Sequence, residues 1–335
     1  MQQDSRRRVL VTGATGFVGR ALVPALLARG HCVRACARRP QQHRRDGLEW
    51  ASADLLEPKT LPPVLEGVRC AFYLVHSIGK TGGADYREMD RFAASAFADA
   101  AASAGIERIV YLGGVAPERN PSKHLESRLE VGNVLRSGPV PTLELRASMI
   151  VGAGGASWRI VRDLALRLPV MILPRWLESR TCPVALEDVV LALVDAVDCP
   201  LARSAWFDLP GPQALTGKEI LERIVGLEGR RMLSVSVPVL TPRLSALWLK
   251  VVTHADFTLA RELVLGLTED LLPRDERYWE VTQHPPRIPF EQAATRALML
   301  PEDRSATPAG WAMEESIVAL LGANVRRRRG SSAEP

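Results

Sequence analysis

Residues 9–19 read VLVTGATGFVG, a short apolar run followed by a glycine-rich turn. The run has the length and composition of a buried strand, and a helical pattern with Val18, Leu22 and Leu26 follows it. A dinucleotide-binding βαβ unit has glycines at this spacing, because the turn is tight and the backbone closely approaches a pyrophosphate. The stretch therefore predicts a dinucleotide site formed by Gly13, Thr15, Gly16, Phe17, Val18 and Gly19.

Strand-like runs alternate with helical patterns through the first half of the chain. This alternation predicts an α/β fold, a Rossmann-type doubly wound parallel sheet with helices on both faces. The clearest helical pattern spans Tyr86–Ala104, and Thr216 with Glu219 has the capping-box pattern of a helix start. The candidate strands are Val9–Thr12, Val33–Ala37, Leu48–Ala51, Cys70–Val75, Ile109–Leu112 and Thr142–Arg146. Ligands of such sheets bind at the carboxyl ends of the strands.

The pattern changes after residue 150, which predicts two units. Residues 8–150 form the NAD(P)-binding Rossmann domain, to which a strand near 205–209 returns. Residues 151–325 form a smaller, mainly helical C-terminal lobe that carries the substrate site, and residues 1–7 and 326–335 are expected to be disordered tails.

The net charge of +5 comes entirely from the two ends. Arg6–Arg8 and Arg326–Arg329 provide seven positive charges against Asp4 and Glu334, and the rest of the chain sums to zero. A nucleic-acid-binding face needs clustered positive charge within the fold, so we expect no nucleic-acid partner.

Five scattered cysteines and the absence of a long apolar run indicate the compartment. The cysteines include no CxxC pair and no Cys/His ligand set, which favours buried thiols in a reducing cytoplasm and no metal site. No stretch has the apolar length of a membrane span, and the arginine-rich start does not resemble a cleaved signal peptide.

Several segments resemble the extended short-chain dehydrogenase/reductase superfamily: TGATGFVG at 12–19, Arg38, Asp54-Leu55 and Leu145-Arg-Ala147. The resemblance is closer to an atypical bacterial branch, often labelled nucleoside-diphosphate-sugar epimerase-like, and runs from about residue 8 to residue 280. The segments typical of that branch are Tyr73-Leu-Val-His-Ser77, His124–Gly132, Glu144-Leu-Arg-Ala147 and Pro174-Arg-Trp176. The resemblance implies that Asp54 faces the adenine with Leu55 against it, although a helix-capping aspartate is the alternative.

The end of the second strand favours NADP(H) over NAD(H). NAD-preferring sites usually have a carboxylate there, bonded to the ribose 2′-hydroxyl, whereas this chain has Ala37 followed by Arg38 and Arg39. A guanidinium pairs with a 2′-phosphate that a carboxylate would repel. The alternative is that both arginines are solvated turn residues.

The chain departs from the superfamily at its catalytic residues. Typical members use a serine and a YxxxK pair, in which tyrosine is the acid/base and lysine lowers its pKa. Here Gly113 and Gly114 stand in the serine region, and the YxxxK position reads His124 to Arg128. One hypothesis makes His124 the acid and Arg128 the anchor of ribose or substrate; the alternative is that this helix only positions the cofactor.

Further candidates follow other strands. Val75 ends the fourth strand and His76 and Ser77 follow it, so all three are expected in the cofactor cleft. His76 and Ser77 bind ribose or substrate there, or else cap the next loop. Arg146 and the pair Arg175-Trp176 are candidates for the substrate side, and an ion pair and a buried indole are their structural alternatives.

An apolar stripe at helical spacing runs through residues 240–252. Core packing is its commonest explanation, and peripheral membrane contact or a second subunit are the other two.

Two classes of function remain open. The first is an NADP-dependent oxidoreductase acting on a small carbonyl, quinone or sugar-type substrate. The second is a non-catalytic NADP(H)-binding redox sensor or assembly factor that acts on a protein partner.

Overall fold

The computed structural model describes residues 7–39, 41, 45–76, 86–117, 119, 121–167, 171–200, 202–232, 234–237 and 269–300. For residues 171–176 and 234–237 it describes only the backbone. Ser77, the stripe at 240–252, residues 1–6 and the C-terminal tail lie outside the described residues.

The described strands are β1 (Arg8–Thr12), β2 (Cys32–Ala37), β3 (Leu48–Ser52), β4 (Cys70–Tyr73), β5 (Arg108–Gly114), β6 (Thr142–Ala147), β7 (Ile150–Val151), β8 (Met171–Pro174), β9 (Arg180–Thr181), β10 (Val184–Ala185), β11 (Ala205–Asp208), β12 (Leu215–Thr216) and β13 (Ser234–Val237). The helices are α1 (Phe17–Ala28), α2 (Leu61–Leu65), α3 (Tyr86–Ser103), α4 (Lys123–Ser137), α5 (Ala156–Arg167), α6 (Leu186–Asp195), α7 (Gly217–Leu227), α8 (Tyr278–Val281) and α9 (Phe290–Met299). Short 3₁₀ turns span Pro58–Thr60 and Arg175–Glu178.

Seven strands form one parallel sheet in the order β11-β6-β5-β4-β1-β2-β3. Helices cover both faces of the sheet, so side chains that alternate along β1 pack in two different cores. Val9 and Val11 pack in the core with α1 and α6. Leu10 packs in the core with α2, α3 and α4. This architecture confirms the Rossmann-type fold predicted from the sequence. The strand near 205–209 does return to the sheet, as β11 beside β6.

A third core lies beyond the sheet. Helices α5, α7 and α9 meet around Trp158, Ile224 and Phe290. The capping box predicted from Thr216 and Glu219 is present at the start of α7, with each backbone N–H bonded to the other residue's side chain. Among the described residues, no helix is both long and apolar enough to cross a membrane.

Arg7 belongs to the folded part of the chain, although the sequence placed it in the amino-terminal tail. Its guanidinium donates to the Val197 carbonyl and pairs with Asp198 at 2.8 Å, and its own carbonyl accepts from the N–H of Cys32.

Glu144 carries a fully buried carboxylate on β6, the strand next to the edge strand β11. Arg136 donates to it at 2.8 Å from α4, and Arg146 donates at 2.8 Å and 3.2 Å from the same strand. Two cations therefore compensate one buried anion, as a buried charge requires. Gly132 of α4 provides the space, because a Cβ there would lie 2.5 Å from the carboxylate atoms.

Replacing Gly132 by alanine is therefore expected to destabilise the fold by about 2 kcal/mol, since either the carboxylate or α4 must move. Gly226→Ala is the matched control, because a Cβ there meets nothing within 4 Å and alanine favours the helix. The control should gain about 0.5 kcal/mol. Urea unfolding of both variants measures this difference, and equal effects would show that Glu144 does not constrain α4.

Candidate functional site

The glycine-rich turn forms one wall of a cavity of about 340 Å³ at the carboxyl ends of the strands. Gly13 has φ +67°, and a Cβ there would lie 2.8 Å from the Leu74 carbonyl oxygen. Gly19 of α1 packs on the turn so closely that a Cβ would lie 2.3 Å from the Gly13 carbonyl oxygen. No side chain of the described residues caps α1 at Gly16. The amides of its first turn therefore remain available to an anion, as a dinucleotide pyrophosphate requires.

A second depression, of about 500 Å³, adjoins the same turn. Thr15, Ala37, Arg38 and Arg39 line it, and both arginines are exposed. Within the described part of the chain, no carboxylate lies at ion-pair distance from either guanidinium. The depression therefore holds two uncompensated cations at the end of β2, where the adenosine ribose of a dinucleotide lies in this fold.

Asp54 and Leu55 have structural partners. The Asp54 carboxylate accepts from the Leu56 N–H at 3.0 Å, and Thr60 bonds the Asp54 backbone, so Asp54 forms the turn that leads into α2. Leu55 is only 6% exposed and packs in the core beneath α2 and α3. This burial disagrees with the contact between Leu55 and the adenine that the family resemblance implied.

The end of β4 faces the cavity. Leu74 and His76 line it, whereas Val75 packs partly against the core on the other face of the sheet. The His76 ring lies 6.0 Å from the ring of Tyr111, centroid to centroid.

Gly113 and Gly114 also line the cavity. Their surroundings leave little room for the serine side chain that typical family members have in this region. A Cβ on Gly114 would lie 3.0 Å from Cδ of Arg128, and one on Gly113 would lie 2.9 Å from Oε1 of Glu144. The space that a serine side chain would need is occupied by the charged residues of α4 and β6.

The structure brings His124 and Arg128 together on one face of α4, at the cavity. Ser122 caps the helix by accepting from the Leu125 N–H, and Ser127 anchors it by donating to the buried Asp90 of α3 at 3.0 Å. Arg128 Nε–H donates to His124 Nε2 at 3.2 Å. This bond places the imidazole proton on Nδ1, which has no hydrogen-bond partner among the described residues.

Burial decides the charge state of His124. The side chain is 6% exposed, and burial together with the nearby Arg128 cation lowers the pKa of His124 to about 2. The imidazole is therefore neutral at physiological pH. This disagrees with the expectation that it exchanges a proton near neutrality, because a buried imidazolium beside a guanidinium is doubly disfavoured.

Arg128 is the only arginine, lysine or carboxylate side chain among the described residues that line the cavity, and His124 beside it is neutral. Burial lowers the pKa of Arg128, and no carboxylate in the described ranges lies within ion-pair distance. Its carbonyl oxygen accepts from the Tyr111 hydroxyl at 3.1 Å, which ties α4 to β5. A buried cation of this kind stabilises negative charge on a bound oxygen.

Of the three residues expected on the substrate side, Arg146 is the one whose side chain the structure describes, and it does not join this site. Arg146 bonds Glu144 and stacks on Trp206 at 4.2 Å, and it does not line the cavity. The ion pair that was its structural alternative is therefore present. Arg175 and Trp176 lie in a short 3₁₀ turn, and their side chains lie outside the described part of the structure.

One group of residues that line the cavity was not predicted from the sequence. It consists of six apolar side chains, which we call the distal wall: Met149, Ile150, Ala156, Ile160, Val161 and Leu271. The sequence does contain one indication of this part of the cavity, the glycines at 152, 154 and 155. They allow the chain to pack against Phe17. Leu271 gave no such signal, since more than a hundred residues separate it from α5.

Known proteins resemble this chain in sequence and fold. Residues 13–167 match the model of a family described as NAD(P)H-binding. The chain is 30% identical over 198 residues to a ceramide reductase from Caulobacter vibrioides, over 58% of this chain and 62% of that protein. It is 24% identical over 246 residues to an NAD(P)H azoreductase from Xenophilus azovorans, over 68% of this chain and 77% of that protein. A nucleoside-diphosphate-sugar epimerase structure from Staphylococcus aureus, 13% identical, gives a TM-score of 0.68 over 86% of this chain and 99% of that chain.

Residues 13–167 therefore resemble an NAD(P)H-binding domain, and the chain has the Rossmann-type fold of the epimerase structure. These findings confirm the family resemblance predicted from the sequence. The alignment spans less than two thirds of the ceramide reductase.

The neutral state of His124 has a measurable effect on stability. The imidazole titrates near 6.5 in the unfolded chain and near 2 in the folded protein, so only the unfolded chain gains a proton as the pH falls below 6.5. Between about pH 7 and pH 5 this difference costs about 2 kcal/mol of stability. In His124→Gln, the free energy of unfolding in urea should therefore fall about 2 kcal/mol less over that interval than in wild type. An unchanged pH dependence would show that the folded protein protonates His124 normally.

Proposed function

We propose that this protein is an NADPH-dependent reductase of carbonyl compounds, in which His124 and Arg128 replace the tyrosine and lysine of typical family members. The observation that carries the proposal is the Nδ1–H donor of a neutral imidazole, buried at the cavity and oriented by a guanidinium without a carboxylate partner among the described residues. The names of the two curated relatives, a reductase and an azoreductase, support the reductive direction.

The proposal of NADPH rather than NADH rests on the depression lined by Arg38 and Arg39. Two exposed guanidinium groups pair with the 2′-phosphate of NADP(H), and Ala37 leaves no acid to repel it. The amides of the first turn of α1 would hold the pyrophosphate, and Gly113 and Gly114 line the same cavity and would leave room for the nicotinamide.

The residues of the chain would act on the carbonyl oxygen. When bound, the nicotinamide supplies a hydride to the carbonyl carbon, the π electron pair moves to oxygen, and one proton completes the alcohol. His124 donates a hydrogen bond from Nδ1 to that oxygen, and Arg128 stabilises the negative charge that develops there. A neutral imidazole is a very weak acid, so His124 polarises the carbonyl and the proton comes from water.

Removing the two cations at the end of β2 tests the cofactor. Arg38→Ala and Arg39→Ala should each weaken NADPH binding by roughly ten- to a hundredfold, because each loses a charged hydrogen bond to phosphate. NADH binding should change less than about twofold. Arg203→Ala removes an exposed arginine outside the cavity and is the control for the change in charge. Calorimetry measures the NADPH and NADH affinities of wild type and the three variants. Equal losses for NADPH and NADH would contradict the proposed 2′-phosphate site.

Two substitutions at His124 test the reaction. His124→Leu removes the donor and should lower kcat by roughly a hundred- to a thousandfold with the NADPH affinity unchanged. His124→Gln retains an amide that both accepts from Arg128 and donates to a carbonyl, so it should keep more of the activity. NADPH absorbance is followed with a panel of quinones, ketones and sugar nucleotides.

If wild-type protein binds NADPH tightly and oxidises it with no compound of the panel, the reductase proposal fails. That result would favour the non-catalytic redox sensor or assembly factor instead.

A further inference from the structure

The distal wall lines the same cavity as the glycine-rich turn, His124 and Arg128. Met149, Ile160 and Leu271 are nearly fully buried, and Leu271 packs against Leu125, the neighbour of His124 in α4. A molecule whose carbonyl reaches His124 therefore extends against apolar side chains.

Few polar groups line this side of the cavity. Ser148 uses its hydroxyl to donate to the Cys182 carbonyl at 3.1 Å, which leaves Ser157 as the polar side chain of α5 at the cavity. The four charged residues of α5 (Arg159, Arg162, Asp163 and Arg167) are not among the described residues that line the cavity. Arg162 and Asp163 bond each other, and the buried Nε of Arg159 has no hydrogen-bond partner in the described part of the chain. A nucleoside diphosphate carries negative charges that need cations or amides, and within the described lining Arg128 already lies at the reacting end.

Phe17 joins the cofactor side to the distal wall. It follows the last residue of the glycine-rich turn, and its ring lies so close to Gly155 that a Cβ there would be 2.9 Å from Cζ. The apolar surface is therefore continuous from the turn to α5.

We infer that the substrate of this site is a hydrophobic carbonyl compound, with an alkyl chain or fused apolar rings beside the carbonyl, rather than a nucleoside-diphosphate sugar. The inference rests on the proposed function for the reaction, and on the composition of the distal wall for the substrate class. Apolar surface that enters such a cavity leaves water and contributes to binding roughly in proportion to its area.

Methyl ketones from butanone to decanone test the substrate class. With NADPH, kcat/KM should rise about fourfold per added methylene until the cavity is filled. Val161→Thr keeps the side-chain shape but adds a hydroxyl, and should reduce this dependence on chain length. Ala156→Phe narrows the cavity and should lower turnover of decanone far more than turnover of butanone. Leu164→Thr, on the same helix but packed in the third core, is the matched control and should keep the wild-type chain-length dependence.

A binding measurement separates the two proposals. Secondary alcohols of the same chain lengths cannot react with NADPH, so calorimetry of the NADPH-loaded protein reports the cavity alone. Their affinity should rise about fourfold per methylene, and millimolar UDP-glucose should not displace them. Alcohols that bind with this dependence while no ketone oxidises NADPH would overturn the proposed reduction and leave the apolar ligand class standing. Affinities and rates independent of chain length, or displacement by UDP-glucose, would overturn the inference on the substrate class.

Discussion

The hydrogen bond from Arg128 to His124 determines what this site can do. It places the imidazole proton on Nδ1 and fixes the guanidinium at the cavity, while burial together with the Arg128 charge keeps the ring neutral. The bond is local, since the two residues lie four apart on α4, but its environment is not. Gly114 provides the space beside Arg128, and Asp90 holds the helix through Ser127.

The protein treats its buried charges in two ways. Glu144 lies fully buried on β6 with two arginines bonded to it, so that its charge is satisfied within the protein. Arg128 lies at the cavity without a carboxylate partner in the described structure, so its charge is available to a ligand. The amino acid is arginine in both cases, so residue identity alone does not distinguish these roles. The positions of the nearest carboxylates do, and those positions depend on which helices pack on which strands.

The distal wall shows how one fold accommodates different substrates. The parallel sheet and the glycine-rich turn hold the part of the cofactor that all such proteins share. The distal wall comes from α5, from the segment after β6 and from Leu271, which come together only in the folded chain. Variation there changes the substrate class without disturbing the sheet, because function depends on the site rather than on the fold.

The sequence by itself determined the features that depend on near neighbours in the chain. The glycine spacing at 13, 16 and 19, the alternating strands and helices, the capping box of α7 and the i, i+4 spacing of His124 and Arg128 are all local, and so they were readable in advance. Only the tertiary structure decided the rest. It lowered the pKa of His124 by burial, paired Arg146 with Glu144, buried Leu55 in the core and brought Leu271 to the cavity. Burial and ion pairing depend on residues distant in sequence, and no local pattern records which of them meet.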